Sequence, residues 1–187
     1  KHVIVGSMGD LLGFKGVIVN LVVRKVKKMV PAWSIPGAVS FNDALSAGRG
    51  MKLSKPNLTR EDVAFLQYTG GTTGTPKVAQ PKQSGMIYNG WLGGALLFNE
   101  KDVMLCPLPM FHVFAAYPVL MSCVMSGAHL VMPTPAGYRG EGVFDNFWKL
   151  VERYKVTYMI TVPTALAALM QRPVNADISS MKNAFSG

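Results

Sequence analysis

Tyr68-Thr69-Gly70-Gly71-Thr72-Thr73-Gly74-Thr75-Pro76-Lys77 decides how the rest of the chain is read. The run follows an apolar segment, Val63 to Leu66, with the pattern of a buried strand, and gathers three glycines, four threonine hydroxyls and a lysine into one turn. Glycines admit positive φ and let backbone N–H groups approach an anion closely. Threonine hydroxyls add neutral donors, and Lys77 adds a point charge on a flexible stem. Together these make a cradle for phosphate; the competing reading is a Gly/Thr-rich surface turn that holds nothing.

A Walker A loop ends in contiguous Gly-Lys-Ser/Thr, whereas Thr75-Pro76 separates Gly74 from Lys77 here, which disfavours a P-loop NTPase. The run instead resembles, residue for residue, the phosphate-binding signature of the adenylate-forming superfamily: acyl-CoA synthetases, firefly-type luciferases and the adenylation domains of peptide synthetases. The resemblance implies that Tyr68, Thr69, Gly70, Gly71, Thr72, Thr73, Gly74, Thr75 and Lys77 hold ATP phosphates while a carboxylate attacks the α-phosphate. It also implies that Thr69 contacts Mg²⁺ and that Lys77 is catalytic.

After this loop the pattern alternates. Helices are expected over 86–98, 114–126, 142–154 and 164–171, and strands over 103–106, 130–132, 157–162 and 183–185. Such alternation predicts an α/β fold, a mostly parallel sheet flanked by helices, with functional loops at the carboxyl ends of its strands. One of those loops is Pro107-Leu108-Pro109-Met110-Phe111-His112, whose prolines stiffen the backbone that carries the imidazole. A histidine there can hydrogen-bond a carboxylate, or be an ordinary satisfied polar residue. A third is Thr161-Val162-Pro163-Thr164, where Thr164 has the chemistry of a helix N-cap. By resemblance, Phe111 and His112 lie at the carboxylate end of the acid pocket, His112 has a catalytic part, and Val162, Pro163 and Gly187 border the acyl group. The segments 66–77 and 107–133 are similar to the fatty-acyl-CoA synthetases in particular. Some long-chain members place a gating tryptophan where this chain has Ala116 beside Tyr117. A pocket between residues 114–125 and 162–169 is expected to be apolar, suited to an alkyl or alicyclic acid rather than an amino acid.

The front of the chain differs in charge. Residues 1–60 hold ten Lys/Arg against Asp10 and Asp43, so nearly all of the net charge of +9 lies there. No aromatic residues interleave with the basic run, which argues against nucleic-acid binding. Val17 to Val30, wound as a helix, places Ile18, Val19, Val22, Val23, Val26, Met29 and Val30 on one face and Asn20, Arg24, Lys27 and Lys28 opposite, with Pro31 as its end. Such a helix packs against a core, or lies peripherally on an anionic membrane surface. Residues 31–57 are punctuated by Pro36, Gly37, Gly48, Gly50 and Pro56 and are expected to connect across the surface, with one short helix over 41–47. This gives two parts: a basic segment, 1–57, and an ATP- and acyl-binding α/β subdomain, 58–187.

The sequence of 187 residues is 49% hydrophobic, yet no apolar run reaches the ~20 residues that span a bilayer. Cys106 and Cys123 have no metal or redox spacing and are expected as reduced core thiols in a cytoplasmic protein, with contact to the inner face of a membrane as the variant. The chain starts and stops like a piece of a longer protein. The later nucleotide motifs and the mobile C-terminal domain that the resemblance implies are not in it.

The implied reaction joins a carboxylic acid, foremost a fatty acid, to ATP with Mg²⁺, then passes the acyl group to CoA. An acyl-AMP ligase that loads a carrier protein and a non-catalytic lipid-binding module are the alternatives. Two departures from the family pattern are Val78, where a glycine is usual, and Gln80 to Gln83, which lacks the usual histidine.

Overall fold

The structure is a computed structural model that describes residues 2–69, 74 and 76–187. Residues 70–73 and 75 of the phosphate loop lie outside the described residues. The chain divides into two compact units, residues 1–57 and 58–187.

In the first unit, strand β1 (Val3–Val5) pairs in parallel with β2 (Ala38–Ser40). Helix α1 (Phe14–Leu21) continues as a π-helical turn, Val22–Val26, and helix α2 (Phe41–Gly48) follows β2. The expected helix over 17–30 is therefore shifted and shortened. Lys28 adopts a left-handed backbone (φ 49), and Met29 N–H returns to the Val23 carbonyl at 3.0 Å, closing the helix well before Pro31. Its apolar face is not core within this unit: Ile18 and Val26 are 52% and 71% exposed. Residues 31–57 are more than a connection, because β2 supplies the ladder partner of β1. Ser40 then caps α2, its hydroxyl accepting from Asp43 N–H at 3.1 Å.

The second unit opens with a hairpin. β3 (Gln67–Thr69) pairs antiparallel with β4 (Lys77–Ala79), so the phosphate loop caps a two-stranded ribbon and not a strand of the parallel sheet. The expected buried strand over 63–66 is replaced by an extended segment in which Val63, Phe65 and Leu66 are exposed. Opposite it, the Pro81 carbonyl accepts from Ala64 and Phe65, but Pro81 has no N–H to give back, and pairing is reduced to a single bridge between Val63 and Lys82. Val78 sits in β4 opposite Tyr68 with no positive φ, so that position does not require glycine.

Helix α3 (Gln83–Leu96) leads to β5 (Val103–Leu105), a π-helical segment Ala115–Met121 continued by α4 (Ser122–Ser126), and β6 (His129–Val131). Helix α5 (Phe147–Tyr154), β7 (Tyr158–Thr161), α6 (Pro163–Met170) and β8 (Asn183–Ser186) complete it. The sheet is all parallel in the order β6-β5-β7-β8.

That order dictates which face each helix covers. Right-handed crossovers that run in opposite directions across a sheet lie on opposite faces. The connection from β5 to β6 runs one way, and those from β6 to β7 and β7 to β8 run the other. Accordingly Ala115, Val119 and Cys123 pack with Met104, Cys106, Tyr158 and Ile160, while Phe147, Val151 and Leu169 pack with Leu105, Val131 and Met159. The sheet therefore stands between the bodies of the helices over 115–126 and 163–170, and the expected pocket between residues 114–125 and 162–169 is reduced to their first residues, Phe114 and Val162, which line one cavity at the sheet edge. On the first face, Gly90 and Gly93 of α3 let α4 approach closely: a Cβ at Gly93 would overlap the Ser122 side chain.

Helix starts also differ from expectation, α3 beginning at Gln83 where 86 was expected. Gly142 has φ 73, which leaves 142–146 as turns ahead of α5. Pro163 occupies the first turn of α6 with Val162 as N-cap, so Thr164 is inside the helix and does not cap it.

Asp102, 1% exposed, joins the starts of β5 and β8: it accepts from Asn99 N–H at 2.9 Å and from Lys182 Nζ at 2.6 Å. Burial pushes its carboxyl upward, but the hydrogen bonds from Lys182 and Asn99 and the lysine charge outweigh that and hold it below the ordinary 3.8. A depressed carboxylate stabilises the fold above its unfolded value, and the contribution fades as pH falls through the lower folded value. Asp102→Asn is expected to cost about 2 kcal/mol at pH 7 in urea unfolding. The difference from wild type should shrink at pH 3.

Candidate functional site

The four parallel strands deliver their following loops to one edge. Pro107 to His112 follows β5, Pro135 to Arg139 follows β6, Val162 follows β7 and Gly187 follows β8; all of these loops line one cavity of about 620 Å³. It lies at the carboxyl ends of β5 and β7, the point where the connections diverge, which is where open α/β sheets bind ligands. Phe111, His112, Val162 and Gly187 are thus brought together, whereas Pro163 is exposed and does not line the cavity.

His112 is held firmly. Its N–H donates to the Pro109 carbonyl at 3.0 Å, and its Nδ1 accepts from Phe114 N–H at 3.2 Å. With Nδ1 occupied as an acceptor, the neutral ring carries its proton on Nε2, a donor suited to a carboxylate oxygen. Tyr138, from the loop after β6, donates its hydroxyl to the Ile160 carbonyl at 3.2 Å, and burial pushes its phenol up to about 12. It stays neutral.

A second cavity of about 310 Å³ is lined by α3, the 114–122 helix, β5, β7 and β8, with Gly93, Phe98, Val119, Ile160 and Phe185 among its walls. Phe114 and Gly187 line both cavities. A polar-ended space therefore adjoins an apolar one, with Phe114 and Gly187 common to their walls. The apolar space is formed by α3, the 114–122 helix and the sheet, and α6 does not line it.

Of the phosphate-loop residues, Tyr68 and Thr69 end β3, Gly74 has φ 126, and Lys77 opens β4 with no carboxylate partner among the described residues. Gly70, Gly71, Thr72, Thr73 and Thr75 lie outside the described residues. The Thr69 hydroxyl donates to the Lys77 carbonyl at 3.2 Å, which leaves its oxygen lone pairs free. That suits one oxygen contact to Mg²⁺, an ion that keeps most of its shell from water and substrate phosphates. No cluster of three His, Cys, Asp or Glu side chains occurs among the described residues, so a cage made wholly of protein ligands is not offered there. Burial raises the Cys106 thiol, and burial followed by Cys106 itself raises Cys123 to about 11. Neither is a ready nucleophile.

Gln67, Tyr138 and Arg139 escaped the sequence reading. For the last two a signal existed: the rule that places function after each parallel strand applies equally to the loop following β6. For Gln67 there was none, because its role comes from a contact across 44 positions of sequence.

The described site is thus a cavity bearing His112 at the edge of a parallel sheet, in the same unit as the β3–β4 ribbon. The chain matches the AMP-binding enzyme family over residues 16–187 and belongs to it. It is 37% identical over 179 residues to the long-chain-fatty-acid–CoA ligase of Salmonella typhimurium, covering 91% of this chain and 30% of that protein. To the long-chain-fatty-acid–CoA ligase of Haemophilus influenzae it is 34% identical, covering 100% of this chain and 34% of the relative. The chain thus spans about a third of the length of these relatives. Among solved structures, the N-terminal domain of FACL13 from Mycobacterium tuberculosis superposes with a TM-score of 0.64 at 22% identity, over 98% of this chain and 43% of that one. That likeness shows the fold. Among the described residues, no helix is long and apolar enough to cross a membrane.

Proposed function

We propose that this chain carries the phosphate- and acid-binding parts of an acyl-CoA synthetase that activates a fatty or other apolar carboxylic acid, with residues 58–187 as the binding subdomain. What carries the reading is the family match combined with the joined cavities, one bearing the His112 donor and the other apolar. The acid oxygen attacks the α-phosphorus of ATP and pyrophosphate leaves. The CoA thiol then attacks the acyl carbon of the acyl-adenylate and AMP leaves. Mg²⁺, contacted from this chain by Thr69, would neutralise phosphate charge when bound. Lys77 and the loop's backbone and hydroxyl donors orient the polyphosphate and meet the charge that develops on it. His112 orients the carboxylate, and the apolar cavity receives its chain, so that catalysis is mainly positioning. Exposed Val17, Ile18, Leu21 and Val26 beside Arg24, Lys25, Lys27 and Lys28 support contact with an anionic membrane surface on the cytoplasmic side.

The test is acid-dependent ATP–pyrophosphate exchange by the intact protein with straight-chain and cyclic acids. Exchange requiring an apolar acid is expected, and none with any acid in folded protein would remove the proposal. Omitting CoA from a thioester assay separates CoA use from carrier loading. His112→Ala should lower kcat/KM for the acid by about 10- to 100-fold, the loss of one hydrogen bond to a charged group, while KM for ATP changes little.

A further inference from the structure

Gln67 occupies the last described stretch of backbone before the phosphate loop, and its side-chain amide is taken up by the acid side of the site. Its Nε2 donates to the Phe111 carbonyl at 3.0 Å and, in a weaker contact, to the Tyr68 carbonyl at 3.3 Å. Its Oε1 accepts from the Tyr117 hydroxyl at 3.4 Å. Carbonyl oxygens only accept, so the amide has one orientation that satisfies all three contacts. Tyr117 is buried in the π-helical segment that follows His112, and Phe65 packs on its ring at 5.3 Å between centroids. The Phe111 carbonyl belongs to the peptide unit whose other side is His112 N–H. That N–H is fixed in turn on Pro109.

One amide therefore spans from β3, which leads into the phosphate loop, to the peptide plane from which His112 projects. A carboxylate seated on His112 acts on that plane, and phosphate seated in the loop acts on β3. Any free energy by which one ligand favours the geometry that suits the other is shared equally by both.

Resting on the synthetase reading, we infer that Gln67 is a positioning residue that couples acid binding at His112 to ATP binding at the phosphate loop. It touches neither ligand in this role. Binding of the two is synergistic because the amide holds the loop after β5 and the strand before the phosphate loop in a common register.

The experiment uses the intact protein, α,β-methylene-ATP, whose methylene bridge keeps it from giving up its adenylyl group to an acid, and whichever of hexanoate, dodecanoate and hexadecanoate gives the fastest exchange with ATP. The Kd of the nucleotide is measured by calorimetry with and without saturating acid. In wild type the acid should tighten nucleotide binding at least about 5-fold, the lower end of ordinary site-to-site coupling. Gln67→Leu, similar in volume and lacking both hydrogen-bonding groups, should bring that ratio close to one while the Kd without acid stays within about twofold and Tm is kept. The loss is then at least about 5-fold, within the worth of one or two uncharged hydrogen bonds. Tyr117→Phe, which removes only the hydroxyl, should give a smaller loss in the same ratio. An unchanged ratio in Gln67→Leu overturns the inference alone, as does equal weakening of the nucleotide with and without acid, which marks a merely structural role. Wild type that exchanges with no acid overturns the synthetase reading and this inference with it.

Discussion

Lys77→Ala in the intact protein should lower kcat/KM for ATP in acid-dependent pyrophosphate exchange by about 10²-fold, with Tm unchanged. The magnitude follows from removing one preorganised charge donor at the place where negative charge builds up. The structure explains why the fold should survive. Lys77 takes part in the ribbon through its backbone, opposite Thr69, and its carbonyl receives the Thr69 hydroxyl. Its side chain is exposed and has no carboxylate partner among the described residues, so truncation removes no packing and strands no charge. Lys77→Arg should recover only part of the loss, because a planar guanidinium cannot follow a phosphate as a compact ammonium does. Exchange within a few-fold of wild type in folded Lys77→Ala would show that the loop works through its backbone and hydroxyls alone.

The largest loss of stability should come from Phe147→Ala, about 3 to 5 kcal/mol in chemical unfolding. Phe147 is fully buried on the face of the sheet covered by α5 and α6, stacked on Tyr138 at 6.0 Å and edge-on to Trp148 at 5.2 Å. Tyr138 also lines the larger cavity. The same substitution should therefore loosen the loop after β6 and raise KM for the acid in whatever protein remains folded at the assay temperature. Phe147→Leu, which keeps most of the volume, should cost less than half as much in stability. Equal losses for the two would mean that ring geometry, and not volume, holds this face.

Much of the architecture was legible because local pattern and tertiary role agree there. β5, β7 and β8 are short apolar or β-prone runs between turn signals, and the structure moves their ends by a single residue. The prolines around Phe111 and His112 announced a stiff loop after a strand, which is where the cavity opens. What was not legible depends on partners distant in sequence. Nothing within 63–69 says that Pro81 will stand opposite and break the ladder. β2 is three residues long, too short for a period to show, and exists through its pairing with β1. The face on which α6 packs is not written in α6, whose residues are apolar nearly all round. It follows from strand order, and only the order β6-β5-β7-β8 reveals that α6 and the 114–126 helix lie on opposite sides.

The same strand order has a kinetic consequence. Every pair in this sheet is parallel and joined by a crossover, so no two neighbours can close as a hairpin while the chain emerges. β5, although made first, gains both its neighbours only after the chain has been synthesised through Thr161, and β8 completes the edge later still. During translation its apolar residues must wait uncovered. High contact order of this kind makes for slow closure and a prolonged stage in which unpaired strands invite association. The sheet edge that brings four loops to one cavity is thus also the last part of the unit to be assembled, and a nascent chain halted before Thr161 should hold no acid site at all.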